Sequence, residues 1–154
     1  MAQIILLACL ILLNAFFAAS EMAFVSLNDT KISVKAKEGD KTYKKIERML
    51  KSPSKFLATI QIGITLAGFL SSAFASDVFA SKLAVLLYDL THLFSVGVWT
   101  SISIVIITII LSYFTLIFGE LVPKRIAMEN AEKFSKFSIS IITALAKVMS
   151  PFVK

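Results

Sequence analysis

An acidic residue and a proline lie close together at the end of a long apolar run, in residues 119–125 (GELVPKR). The carboxylate of Glu120 is costly to place near a bilayer centre and less costly near an interface. Because Pro123 has no backbone N–H, the carbonyl of Gly119 loses its usual helical donor. A carboxylate, a freed carbonyl and the negative end of a helix would together attract a cation. The pattern also fits a helix that simply ends at the interface, before a basic stop signal.

A second acid, Glu21, ends the first apolar run. Neither Glu21 nor Glu120 has a basic residue within its apolar run, so each must be protonated, hydrated or neutralised by a cation. Oxygen ligands suit Mg²⁺ or Ca²⁺, and Na⁺ or a proton remains compatible, whereas zinc and copper prefer the His and Cys that are almost missing here. Glu21 fits an interfacial cap. Ser20, which is smaller and one position deeper, is therefore the better candidate ligand.

Small and polar residues recur at helical spacing on two later apolar runs, where positions four, seven and eleven apart share a face. The two sets are Gln61, Thr65, Gly68 and Ser72, then Thr108, Ser112, Thr115 and Gly119. Such stripes line hydrated pockets, but they also let membrane helices pack closely. If the stripes bind an ion, the predicted ligands are Ser20, Thr65, Gly68, Ser72, Gly119 and Glu120.

The composition is that of an integral membrane protein, with 57% hydrophobic residues, 17% charged residues and a mean hydropathy of +0.83. Three apolar runs, at about residues 4–27, 56–76 and 98–122, are long enough to span a bilayer. Residues 134–152 have basic residues too close together for a span, and predict an amphipathic juxtamembrane helix on the inner leaflet. We therefore predict an all-α fold in a single transmembrane domain.

Charge predicts the orientation. Residues 29–55 contain nine Lys or Arg against four Asp or Glu, which places this segment in the cytoplasm by the positive-inside tendency. The N-terminus is then outside, the C-terminus is cytoplasmic, and the membrane is a bacterial-type inner membrane. We expect the second helix to break or bend near residues 68–76. The net charge of +6 indicates membrane lipids rather than nucleic acid as the partner.

Three segments resemble the transmembrane domain of the CorC/CNNM family of magnesium transport proteins. They are residues 14–23 (NAFFAASEMA), residues 56–66 (FLATIQIGITL) with Pro53 before them, and residues 118–124 (FGELVPK). The resemblance covers nearly the whole chain and implies a homodimer that binds Mg²⁺ between its spans and exports it in exchange for Na⁺. By motif, Ser20 and Glu120 would be ligands, with Gly119 offering a backbone oxygen. The resemblance also implies cytoplasmic CBS domains, on the expectation that this chain is an excised membrane domain.

The second span departs from better-known members, which have asparagines where this chain has Ile64, Thr65 and Gly68. Without these amide oxygens the identity of the ion is left open. Among transporters, a carrier of polyamines is the main alternative. A membrane anchor or dimerisation module is the alternative from another class, because the stripes would then only pack helices. An enzyme is not predicted, since no nucleophile or general base has a plausible partner.

Overall fold

The computed structural model describes residues 2–149, of which 91% are helical and none is in a strand. Three helices in this part of the chain are long and apolar enough to cross a membrane: Ala2–Val25, Pro53–Thr91 and Val96–Glu129. The predicted all-α fold with three spanning helices is confirmed. The α-helical segments are α1 (Ala2–Val25), α2 (Asp29–Lys37), α3 (Lys41–Leu50), α4 (Pro53–Ala75), α5 (Ser81–Thr91), α6 (Val96–Leu116), α7 (Val122–Glu129) and α8 (Ala131–Met149).

A short helical hairpin follows the first spanning helix. The side chain of Asn28 caps α2 by accepting from the Lys31 N–H, and Asp40 caps α3 in the same way. Gly39 joins the two helices with a φ of +104°, a conformation that glycine adopts at little cost. Pro53 then begins α4, where its fixed φ suits the first helical turn.

The second spanning helix does not break where the sequence predicted. It continues through Gly68 and Ser76, and its one irregularity is a π-helical turn at Ser76–Ala80 that joins α4 to α5. No Gly or Pro lies between residues 69 and 91, so nothing in this stretch ends a helix. The helix ends at His92, which has a left-handed φ of 50°. The predicted break is therefore wrong, while the alternative of a bend stays a prediction.

The third spanning helix also continues beyond its predicted end at Val122, through Pro123 and on to Glu129. A second π-helical turn, Ile117–Leu121, precedes the proline, and the Val122 N–H donates to the Ile117 carbonyl five residues back. The wider turn accommodates a proline, which can give no N–H to the carbonyl four residues before it. Pro123 therefore does not end this helix.

The core lies where the hairpin, α8 and two spanning helices meet, and its largest buried side chains include Phe24, Ile46, Phe56 and Ile139. α8 contacts α1, α3 and α4, while its residues Phe137, Ile141 and Val148 stay exposed. These three share one helix face, as an interfacial helix requires. Residues 150–152 of the predicted segment lie outside the described residues.

Candidate cation site between the spanning helices

A cavity of about 370 Å³ lies between the three spanning helices. α1 contributes one polar residue to it, α4 three small or polar residues, and the third helix two hydroxyls and one acid. These residues are Asn14, Gly68, Ser71, Ser72, Ser112, Thr115 and Glu120. The rest of the described lining is apolar, and it contains no basic residue. We call this space the interhelical cavity.

Three buried oxygens of the interhelical cavity have no hydrogen-bond partner among the described residues: Asn14 Oδ1, Ser71 Oγ and Thr115 Oγ1. One comes from each spanning helix. Burying a polar oxygen without a partner costs about 1–3 kcal/mol, so three in one cavity call for an explanation. Cations and ordered waters are the usual partners of such oxygens.

The amide of Asn14 is oriented by the backbone of the third helix. Its Nδ2 donates to the Gly119 carbonyl at 3.0 Å, the same carbonyl that Pro123 cannot satisfy. Because a carbonyl only accepts, the amide must present its NH₂ group there, which leaves Oδ1 for the cavity. The freed carbonyl predicted from the sequence is thus already bonded to a side chain.

Glu120 and Glu21 share a basic partner, contrary to the premise that neither acid has one. The Lys124 ammonium lies 2.8 Å from Glu120 Oε1 and 3.2 Å from Glu21 Oε2. Lys124 was expected to belong to a stop signal after the helix. The helix instead continues through Pro123, so that Lys124, four residues after Glu120, lies on the same helix face. Two carboxylates and one ammonium leave a formal charge of −1. We call these three residues the carboxylate–lysine cluster.

The structure brings only part of the predicted ligand set together. Gly68, Ser72 and Glu120 line the interhelical cavity. Gly119 does not line it, but its carbonyl accepts a hydrogen bond from Asn14, which does. Ser20 is fully buried, but it is not part of the lining, and its hydroxyl donates to the Phe16 carbonyl at 2.7 Å. Thr65 is exposed and does not line the cavity. The structure therefore gives no support to Ser20 or Thr65 as ligands in this arrangement.

Asn14 and Ser71 line the cavity but are not among the ligands predicted from the sequence. The sequence does contain an indication for Asn14. It is an amide within the first apolar run, seven residues from Glu21, and therefore on the same helix face as that acid. Ser71 belongs to the buried face of α4, with Ile60, Gly63 and Ala67, one position away from the predicted stripe. Within residues 2–149, no three His, Cys, Asp or Glu side chains could hold a metal ion together. Neutral oxygens would have to supply most of its ligands.

Comparison with known proteins identifies the family. The model of the "Cyclin M transmembrane N-terminal domain" (CNNM) matches residues 4–154, almost the whole chain. The chain belongs to the CNNM family. Among its relatives, UPF0053 protein sll0260 of Synechocystis sp. is 35% identical over 94% of this chain and 32% of its own length. This CNNM domain therefore spans about a third of the length of such curated relatives.

Two further relatives have names that describe a location or an activity. The UPF0053 inner membrane protein YfjD of Escherichia coli is 27% identical over 92% of this chain and 29% of its own length. The Polyamine export protein of Haemophilus influenzae is 24% identical over 97% of this chain and 34% of its own length. The predicted resemblance to the CorC/CNNM family is confirmed by these matches, which do not identify a cargo.

Proposed function

We propose that this CNNM domain is a cation carrier that binds Mg²⁺ in the interhelical cavity and exports it. The observation that carries the proposal is the meeting of three unpartnered oxygens and the Glu120 carboxylate in one cavity. Mg²⁺ prefers six oxygen ligands and keeps several of its waters. A cavity of about 370 Å³ has room for the ion and those waters, since a water occupies about 30 Å³.

Lys124 supplies a counter-ion when the site holds no cargo. Its ammonium neutralises Glu120 at 2.8 Å, so an arriving cation competes with it for the same carboxylate. Glu21, at 3.2 Å, offers Lys124 a second partner once Glu120 binds the ion. Exchange of Lys124 from one acid to the other would thus accompany each binding event, without leaving the ammonium unpaired.

Export, exchange for Na⁺ and alternating access belong to the proposal through the family resemblance. The inner membrane belongs to it through the name of the Escherichia coli relative. Cytoplasmic CBS domains and homodimerisation remain predictions of the same kind. The orientation with a cytoplasmic C-terminus is supported by the basic segment at residues 29–55.

A polyamine is the alternative cargo, favoured by the name of the Haemophilus influenzae relative and by the absence of the second-span asparagines. An extended diamine has two separated ammonium groups, and each needs an acceptor cluster. Among the described residues, Glu120 is the only carboxylate lining the interhelical cavity, which favours a compact ion. The anchor alternative predicts no cation binding at all.

The decisive variant is Glu120→Gln, which keeps the size of the side chain and removes the charge that compensates for dehydration of the ion. We expect Mg²⁺ binding, measured by isothermal titration calorimetry, and transport into liposomes to be abolished, while the protein still inserts into membranes. Glu129→Gln is the matched control, because Glu129 is exposed and pairs only weakly with Arg125 at 3.6 Å. Unchanged Mg²⁺ binding by Glu120→Gln would refute the proposal.

A second pair of variants tests the neutral oxygens. Ser71→Ala should weaken Mg²⁺ binding about tenfold or less, since a water can replace a neutral ligand. Ser103→Ala is the control, because Ser103 is equally buried and unpartnered but does not line the cavity. Titration with putrescine, Ca²⁺ and Na⁺ identifies the cargo, and tighter binding of putrescine than Mg²⁺ would favour the polyamine alternative.

A further inference from the structure

A second cavity, of about 400 Å³, lies away from the interhelical cavity, where the end of α3, the start of α4 and the last turns of α8 meet. Its lining combines two chemistries. Arg48, Lys55 and Lys147 supply three cationic side chains, and Phe56 and Met49 are among its apolar residues. No acidic residue within residues 2–149 lines it. We call it the basic cavity.

Two cations of the basic cavity, Arg48 and Lys147, are available to a ligand. Arg48 and Lys147 are exposed, and neither forms an ion pair with any described acid. Phe56, by contrast, is 5% exposed and belongs to the main core. The cavity therefore has a charged rim above a fixed apolar wall, which is an arrangement for an anion that carries a hydrocarbon chain.

The position of the basic cavity relative to the membrane indicates which anion fits. Phe56 is the first large apolar residue of the second spanning helix, directly after Lys55. The exposed apolar face of α8, formed by Phe137, Ile141 and Val148, lies along the same helix that contributes Lys147. A phospholipid phosphate is found at this boundary between charged and apolar residues, with its acyl chains just below.

We propose that the basic cavity binds an anionic phospholipid, with the phosphate between Arg48 and Lys147 and an acyl chain along Phe56. Lys55 completes the positive rim. The bound lipid would join α3, α4 and α8, three elements that the chain otherwise connects through the main core. The proposal does not depend on the cargo of the interhelical cavity, because the two cavities share no residue.

The test measures thermal stabilisation of the detergent-purified chain by added lipid, with native mass spectrometry to count bound lipids. Phosphatidylglycerol should stabilise the protein and stay bound, whereas phosphatidylcholine should do so much less. Glycerol 3-phosphate, which has the phosphate without the chains, should have no effect. Equal effects of the two lipids would overturn the charge requirement, and an equal effect of glycerol 3-phosphate would mean that the cavity binds a soluble anion instead.

The variant Arg48→Gln/Lys147→Gln should weaken phosphatidylglycerol binding about 25-fold, from about fivefold for each basic residue near a membrane surface. Both residues are exposed, so the variant should fold. Lys37→Gln/Lys44→Gln is the matched control, because it also removes two exposed charges, here from parts of the α2–α3 hairpin outside the cavity. Equal losses in the two double variants would reduce the effect to general charge and overturn the site.

Discussion

Lys124 is the residue on which the chemistry of the interhelical cavity depends most directly after Glu120. Its ammonium contacts both Glu120 and Glu21, although its position after a proline suggested only a stop signal. A side chain that is tethered to the protein and carries one positive charge acts as a permanent competitor for any free cation. Its removal therefore separates competition from positioning.

Lys124→Met keeps most of the side-chain length and removes the charge. We expect Mg²⁺ affinity to rise about tenfold, since the Glu120 carboxylate then faces the ion without a competing ammonium, and transport to slow because release becomes harder. Calorimetry and liposome flux measure the two effects. Arg125→Met is the control, because Arg125 is the adjacent, exposed cation and contacts only Glu129 among the described acids. A fall in affinity would instead assign Lys124 to holding the carboxylates in place.

At the scale of elements, the π-helical turn before Pro123 positions Glu120. Pro123→Ala would restore an N–H for the Gly119 carbonyl, which now accepts from Asn14 at 3.0 Å. We expect the turn to relax towards α-helical geometry, which rotates Glu120 away from the cavity. Thermal stability should be unchanged or higher, while Mg²⁺ affinity should fall at least tenfold.

The control for this variant is Pro53→Ala, because Pro53 lies at the start of α4 and interrupts no helix. Stability by thermal melting and affinity by calorimetry should be measured on both variants. Equal Mg²⁺ affinity in the wild type and Pro123→Ala would remove the π turn and the Gly119 carbonyl from the mechanism.

A second element-scale feature attaches the α2–α3 hairpin to α8. Glu132, near the start of α8, accepts from Lys31, Lys35 and the Tyr43 hydroxyl, with the Lys35 contact at 2.7 Å. The hydrogen bond from Lys31, followed by those from Lys35 and Tyr43, lowers the pKa of the Glu132 carboxyl from 4.5 to about 2. The same contact raises the pKa of Lys35.

The stability of this attachment should fall as the solution is made more acidic. Because the folded pKa of Glu132 is depressed, its stabilising effect is complete above about pH 4.5 and is lost as the pH falls towards about 2. Glu132→Gln should lower amide protection of the hairpin in hydrogen exchange at pH 7 and remove most of its pH dependence. Glu38→Gln, which alters an exposed acid of the same hairpin, should leave the wild-type profile intact.

The positions of the spanning helices could be predicted from the sequence better than which face of each helix is turned inward. Three long apolar runs identify spanning helices because length and hydropathy alone decide that property. The face that α4 turns inward is decided by packing, since the ring of Phe17 lies only 2.8 Å from the position that a Cβ on Gly63 would take. That contact buries Ala67 and Ser71 and turns Thr65 outward. Helical spacing specifies which residues share a face, but not which face is inside.

At the scale of the whole molecule, the third spanning helix is the one that the rest of the chain buries least. Only 11% of an 18-residue apolar stretch of this helix is buried, against 33% of the corresponding stretch of the second spanning helix. Large side chains such as Ile109, Tyr113 and Phe118 are exposed. Lipid or a second copy of the chain must cover these residues in the membrane, and the predicted homodimer is one way to do so.

We expect mass measurement in detergent to give a dimer, about twice the 16.9 kDa of one chain. Light scattering that subtracts the detergent gives this mass directly. The measurement should be repeated over a wide range of protein concentration, because a weak dimer dissociates on dilution. A monomer at every concentration would contradict the homodimer prediction and leave lipid as the cover of the third helix.

The carboxylate–lysine cluster has an electrical consequence for the proposed transport. With its formal charge of −1, the cluster becomes +1 when it holds Mg²⁺ but neutral when it holds Na⁺. Moving one elementary charge through 100 mV changes the free energy by about 2.3 kcal/mol. The loaded and empty carriers would thus respond to membrane voltage in opposite directions during Mg²⁺ transport, whereas a Na⁺-loaded carrier would be insensitive to it. Transient currents after a step in Mg²⁺ or Na⁺ concentration would therefore report which ion occupies the site.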